Sequence, residues 1–159
     1  MQILLKTGIL TVFLALAITC FSQDGYQLRI KQFNIDQYAV ALQGYDVMSY
    51  FEGRPQKGNP TIFHFYKGIR YEFSTQAHLQ SFKANPGSYE PAYGGWCAYA
   101  MGKTGEKVEV DPLKYKLADG KLYLFYYSII NNTLDKWNKD ESRLKTEADK
   151  NWNKTLNHK

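Results

Sequence analysis

Thr61-Ile-Phe-His-Phe-Tyr66, Lys67-Gly68 and Ile69-Arg-Tyr-Glu-Phe73 follow one another without a break, and this stretch decides the fold. Both flanking runs are rich in β-branched and aromatic residues, which suit a pleated, half-buried surface. Lys67-Gly68 between them predicts an antiparallel hairpin, because a two-residue link needs positive φ and glycine accepts it. His64 alternates with Ile62 and Tyr66 on the first strand and is read as structural. Ser74 follows and is placed to cap a helix from Thr75 to about Ala84. Leu79 and Phe82 form the buried stripe of that helix, and Asn85-Pro86-Gly87 stops it.

Working outward, Tyr115-Lys-Leu117 and Lys121-Leu-Tyr-Leu-Phe-Tyr126 flank Ala118-Asp119-Gly120, a second hairpin signal. Lys107-Val-Glu-Val110 alternates as a strand and ends at Asp111-Pro112. Tyr38-Ala-Val-Ala-Leu42 reads as a short strand and Gly44-Tyr45-Asp46 as a turn. Asp46 caps a helical turn through Val47, Met48, Tyr50 and Phe51. Gly53 to Pro60 is a loop, and Trp96-Cys-Ala-Tyr-Ala-Met101 is too short to type by period. From Asn132 the composition becomes helical, with Leu134, Trp137, Leu144, Ala148 and Trp152 near one face. No internal repeat is visible. The expected fold is α+β: a small antiparallel β-meander with one short inner helix and a C-terminal helical arm, in a single domain.

The N-terminus reads as an export signal. Lys6 precedes an uncharged, apolar run of 14 residues from Gly8 to Phe21, whereas a helix needs ~20 residues to cross a bilayer. Cys20 and Ser22 place small side chains before a cut that leaves Gln23 first. Residues 1–22 are therefore expected to be a cleaved signal peptide, 23–37 a lead-in and 38–159 the domain. Localisation is periplasmic or secreted, with no transmembrane segment in the mature chain. Lipid attachment at Cys20 is the rival, although Thr19 stands where a lipobox wants Gly, Ala or Ser. Formal net charge is +5 and 16% of residues are aromatic. Aromatic content of that order predicts a packed interior. Basic residues concentrate after Lys103 but interleave with Asp and Glu, which speaks against a nucleic-acid groove. Of the two Cys, Cys20 leaves with the leader. Cys97 alone makes neither an internal disulfide nor a four-ligand zinc site with paired CxxC spacing.

Several segments occur in a telling order: Gly44-Tyr-Asp-Val-Met-Ser-Tyr-Phe51, Tyr66-Lys-Gly-Ile-Arg-Tyr-Glu-Phe-Ser74, Phe82-Lys-Ala-Asn-Pro86, Tyr93-Gly-Gly-Trp-Cys-Ala-Tyr-Ala100 and Asp119-Gly-Lys-Leu-Tyr123. Together they resemble the exported branch of the YHS-domain family over roughly residues 38–153. The resemblance implies a small α+β domain with a metal-binding role. Relatives accompany metal-transporting ATPases and some oxygenase components, where cysteines supply ligands. Phe73-Ser74-Thr75 and His78 stand here where those relatives tend to carry thiols.

Cys97 is the sharpest chemical candidate. It follows Gly94-Gly95, where backbone approaches closely, and a thiolate there suits a copper or zinc ion. His78, at the rim of the inner helix, and Met101, with its thioether, are the candidate partner ligands. Against this stands the bland reading of Cys97 and Met101 as core filling. The tyrosines Tyr89, Tyr93, Tyr99, Tyr123, Tyr126 and Tyr127 line a pocket or simply fill a β core. Gly102-Lys103-Thr104 fails as a phosphate loop, and GxSxG, HExxH, CxxC and GxGxxG are absent. The expected function is an exported module binding a transition metal or small ligand, with no defined catalysis. Its rivals are a ligand-free interaction or scaffold domain and a thiol redox enzyme using Cys97 with His78 as base.

Overall fold

Lys67-Gly68 and Asp119-Gly120 both carry the left-handed backbone that a two-residue hairpin requires, with φ of 47° and 84° at the first pair and 52° and 70° at the second. A computed structural model describes residues 26–157. The expected leader, Cys20 and the C-terminal His158 lie outside the described residues. In chain order the elements are α1 (26–32), α2 (Val47–Phe51), β1 (Asn59–Tyr66), β2 (Ile69–Phe73), α3 (Gln76–Ala84), α4 (Pro86–Tyr89), α5 (Ala98–Lys103), β3 (Asp111–Ala118), β4 (Lys121–Phe125), β5 (Tyr127–Ser128), β6 (Asn131–Asn132), α6 (Thr133–Asn138) and α7 (Glu141–Asn157). The fold is α+β, as expected.

The expected single meander is corrected to three separate antiparallel pairs, β1–β2, β3–β4 and β5–β6. Between the two long hairpins the chain runs through helices, so they do not join edge to edge. Tyr38–Leu42 does not form a strand. Ala39 and Leu42 take φ of 63° and 57°, which breaks the extended run and leaves only isolated bridges such as Val40 to Arg70. Lys107–Val110 likewise forms no strand; the strand begins at Asp111-Pro112, where the Asp111 carboxylate accepts the Leu113 N–H at 2.9 Å. Thr75, not Ser74, caps α3. The C-terminal arm is two helices, and Asn132 caps the first of them. The inner helix α3 is joined by the shorter α2, α4 and α5.

The chain contains a repeat of backbone plan that the sequence hides. Leu42, Gln43 and Gly44 are successively left-handed, with φ of 57°, 52° and 78°, and so are Tyr93, Gly94 and Gly95, with φ of 54°, 61° and 88°. Each triplet leads through one extended residue to a helix cap, Asp46 before α2 and Cys97 before α5. Each helix is followed by an Asx-Pro strand start, at Asn59-Pro60 and at Asp111-Pro112. Both hairpins then break register near the start of their first strand, between Asn59 and Phe63 and between Asp111 and Tyr115. A following helix packs one large ring on the second strand. Phe82 lies 4.8 Å from Tyr71 and 5.1 Å from Phe73, and Trp137 lies 5.7 Å from both Tyr123 and Phe125, between ring centroids. Two apolar clusters result, and Trp152 of α7 packs against both.

Helix α5 lies so close to α7 that a Cβ on Gly102 would sit 2.4 Å from the Leu144 carbonyl oxygen. Backbone cannot yield as a flexible side chain does. Gly102→Ala is expected to cost roughly 1–3 kcal/mol through overpacking, read as a lower urea midpoint. An unchanged midpoint would show that the two helices are not held at this distance.

Candidate functional site

Asp46 is wholly buried at the start of α2 and is the hub of the first half. Its Oδ1 accepts the Met48 N–H at 2.9 Å, which caps the helix. Its Oδ2 accepts the Ser74 N–H at 2.8 Å, the Ser74 hydroxyl at 2.7 Å and His78 Nδ1 at 2.6 Å. His78 Nε2 donates onward to Glu52 Oε1 at 2.9 Å. Gln56 closes the cluster by donating its side-chain amide to Ser74 Oγ at 3.1 Å. An imidazole that donates from both nitrogens is protonated. Burial alone lowers the His78 pKa, but the hydrogen bonds and charges of Asp46 and then Glu52 outweigh it, and the net shift is upward from 6.5. The Asp46 carboxylate and both His78 nitrogens are spent within the cluster.

Cys97 holds the matching position in the second half, and the same backbone contacts recur. Asp46 N–H donates to the Gln56 carbonyl at 2.9 Å, and Cys97 N–H donates to the Val108 carbonyl at 3.0 Å. Where Ser74 N–H meets Asp46, Tyr126 N–H meets Cys97 Sγ at 3.3 Å. Where His78 meets Asp46 from α3, Thr133 Oγ1 lies 3.4 Å from Cys97 Sγ at the start of α6. The Thr133 hydroxyl spends its one proton on the Tyr126 carbonyl at 2.7 Å. The sulfur is therefore the donor toward Thr133, and Cys97 is held as a neutral thiol with 0% exposure.

Each of the three expected metal ligands has other partners in the structure. His78 is engaged by Asp46 and Glu52, and Cys97 by Tyr126 and Thr133. Met101 packs in the apolar cluster with Trp137 and Leu144. Among the described residues no group of three or more His, Cys, Asp and Glu side chains is arranged to hold a metal ion. Of the six tyrosines considered, Tyr99 and Tyr126 border the cleft at Cys97, while Tyr89 packs on Phe51 and Tyr123 on Trp137.

Sequence reasoning missed that cleft. It has a volume of about 320 Å³ and is bordered by Cys97, Tyr99, Lys103, Val108, Tyr126 and Thr133, among others. Its lining corresponds to the Asp46 cluster. Lys103 takes the place of Glu52, Val108 of Gln56, Tyr126 of Ser74 and Thr133 of His78. In the first half those side chains bond across the space and fill it. In the second half their counterparts leave it open. The signal available in the sequence was the matched Gly44-Tyr-Asp46 and Gly95-Trp-Cys97, too short to stand out alone. Comparison of the chain with family models, curated proteins and solved structures found no match.

Two outcomes follow from the Asp46 cluster. Asp46→Ala removes the partner of a partly buried imidazolium and of two N–H groups, and is expected to cost about 3 kcal/mol in urea unfolding; Asp46→Asn, which still accepts hydrogen bonds, costs less. His78 binds its proton more tightly folded than unfolded. Its contribution is complete below the unfolded pKa near 6.5 and is lost as pH rises through the folded value. The stability gap between wild type and His78→Ala therefore narrows as the pH rises above about 6.5. A gap that widens over that range refutes the imidazolium assignment.

Proposed function

We propose that the chain is an exported, YHS-type module without catalysis of its own that binds a small organic anion in the cleft beside Cys97. Export rests on the leader-like residues 1–22, and the family assignment rests on the ordered segments from Gly44 to Tyr123. The observation that carries the ligand reading is the cleft itself, open where the first half is closed by side chains. Tyr99 and Tyr126 offer flat apolar walls. Lys103 supplies a cation with no ion-pair partner among the described residues. Glu106, also on the rim, accepts from the Thr104 hydroxyl at 3.0 Å. A ligand with an apolar body and one carboxylate fits that chemistry. A copper or zinc ion would need Cys97 deprotonated and further donors; neither His78 nor Met101 borders this cleft.

The burial of Cys97 favours a second reading, a ligand-free interaction or scaffold domain in which the sulfur only ties β4 to α5 and α6. A redox role for Cys97 is the least supported, because its thiol proton is held by Thr133 and the expected base, His78, is engaged in the other half.

The readings separate in two measurements. In ¹H–¹⁵N spectra, benzoate is expected to shift the amides of Tyr99, Lys103, Tyr126 and Thr133, and Lys103→Met to abolish those shifts. A zinc chloride titration in parallel is expected to leave them in place. Benzoate shifts that are absent, or that persist in Lys103→Met, sink the ligand reading and leave the scaffold reading. Native Cys97 is expected to react with a disulfide reagent at least ~100-fold more slowly than in urea, and equal rates would restore the reactive-thiol reading.

A further inference from the structure

The smallest hairpin carries the feature that the fold itself does not use. β5 and β6 pair Tyr127 with Asn132 and Ser128 with Asn131, and the link between them is Ile129-Ile130. These two side chains are 97% and 95% exposed. Two-residue links ordinarily use Asn, Asp or Gly, which accept positive φ. Neither isoleucine has positive φ, so the turn gains nothing from them in backbone geometry. Nor do they bury surface within the chain. Two adjacent apolar residues that help neither the turn nor the core mark a site kept for another purpose.

The surroundings are cationic. Lys114 Nζ sits 4.0 Å from the centroid of the half-exposed Tyr127 ring. Lys136 Nζ donates to Asn131 Oδ1 at 2.7 Å, beside the tip. Neither lysine has an ion-pair partner among the described residues. The one acidic group bonded to the hairpin, Asp135, accepts from the Asn132 amide at 2.8 Å. An apolar tip, a tyrosine at its base and free amines around it match the layers of an anionic membrane surface in order of depth.

We propose that the Ile129-Ile130 tip inserts into the surface of a bilayer rich in anionic lipid. A two-residue protrusion presents too little area for a stable protein interface, which buries roughly 800 Å² per partner. A bilayer needs only the part that penetrates, and its phosphates supply the countercharge that Lys114 and Lys136 lack. Asn131 and Thr133, on the return side of the hairpin, border the cleft at Cys97, so docking brings that cleft near the lipid. The inference does not depend on what the cleft binds.

The test uses the chain from Gln23, which holds every described residue and omits the apolar leader. Sedimentation with vesicles of phosphatidylglycerol and phosphatidylcholine is compared with phosphatidylcholine alone. Wild type is expected to bind the anionic vesicles, and Ile129→Ser/Ile130→Ser to bind them roughly tenfold more weakly or less. Lys114→Gln/Lys136→Gln is expected to lower binding to the anionic vesicles while circular dichroism stays native. No binding by wild type overturns the proposal, as does equal binding by the isoleucine variant. Concentration-dependent self-association that the isoleucine variant abolishes overturns it in favour of an interface between copies.

Discussion

The Asp46 carboxylate sits in the interior with no water contact, and a buried charge is tolerated only where every acceptor site is used. Four donors meet that demand: two backbone N–H groups, a hydroxyl and an imidazolium. Each donor belongs to a different structural decision. Met48 N–H starts α2. Ser74 N–H ends β2, since an amide turned to Asp46 is lost to the strand ladder. His78 locks α3 at the angle that lowers Phe82 onto Tyr71 and Phe73. One charge thereby fixes where a helix begins, where a hairpin stops and which ring fills the core between them. It also explains why Thr75 caps α3: the Ser74 hydroxyl is already committed to the carboxylate.

The second half keeps this geometry with a weaker centre. A neutral sulfur accepts one N–H and donates one proton, so it cannot organise a network as a carboxylate does. Apolar packing makes up the difference. Trp137 replaces the smaller Phe82, and α7 lies along α5 closely enough to require Gly102. Two bonds from α7 reach back into the half, from Asn151 to the Met101 carbonyl at 2.9 Å and between Tyr93 and Asp149 at 3.0 Å. Tyr93 is held at φ 54°, a conformation costly for a bulky residue, and its hydroxyl bond to Asp149 helps keep it there. Stability that the first half draws from a charge cluster, the second draws from a long helix, and the space beside its cap is left without a structural duty.

Local signals carried the elements well and the relations between them poorly. Lys67-Gly68 and Asp119-Gly120 announced their hairpins because positive φ is a single-residue constraint that glycine declares. Asp46 announced its cap for the same local reason, and the three- and four-residue spacings around Trp137 and Trp152 announced helix. The repeat did not show, because it lives in φ values and hydrogen bonds: Leu42 and Tyr93, or Asp46 and Cys97, share backbone and not chemistry. The site was half legible. Cys97 and His78 were singled out as polar groups near apolar runs. That each is paired within its own half depends on Ser74, Glu52, Thr133 and Tyr126, whose roles arise only from tertiary contact. Met101 illustrates the limit most simply, since a thioether four positions from a thiol looks like a ligand until the fold packs it with Trp137.

The departures from local rules are not scattered. A neutral thiol in a cap position, Lys103 where the other half has Glu52, an open cleft and an Ile-Ile turn all gather around β5, β6 and the start of α6. In a chain selected for stability alone, these positions would converge on their first-half counterparts, which bond to one another around a stronger hub. Stability therefore does not explain the difference, because the first half demonstrates a closed solution on the same backbone. One copy of the plan anchors the fold, and that anchorage is what frees the other to hold surface and space that the fold does not need.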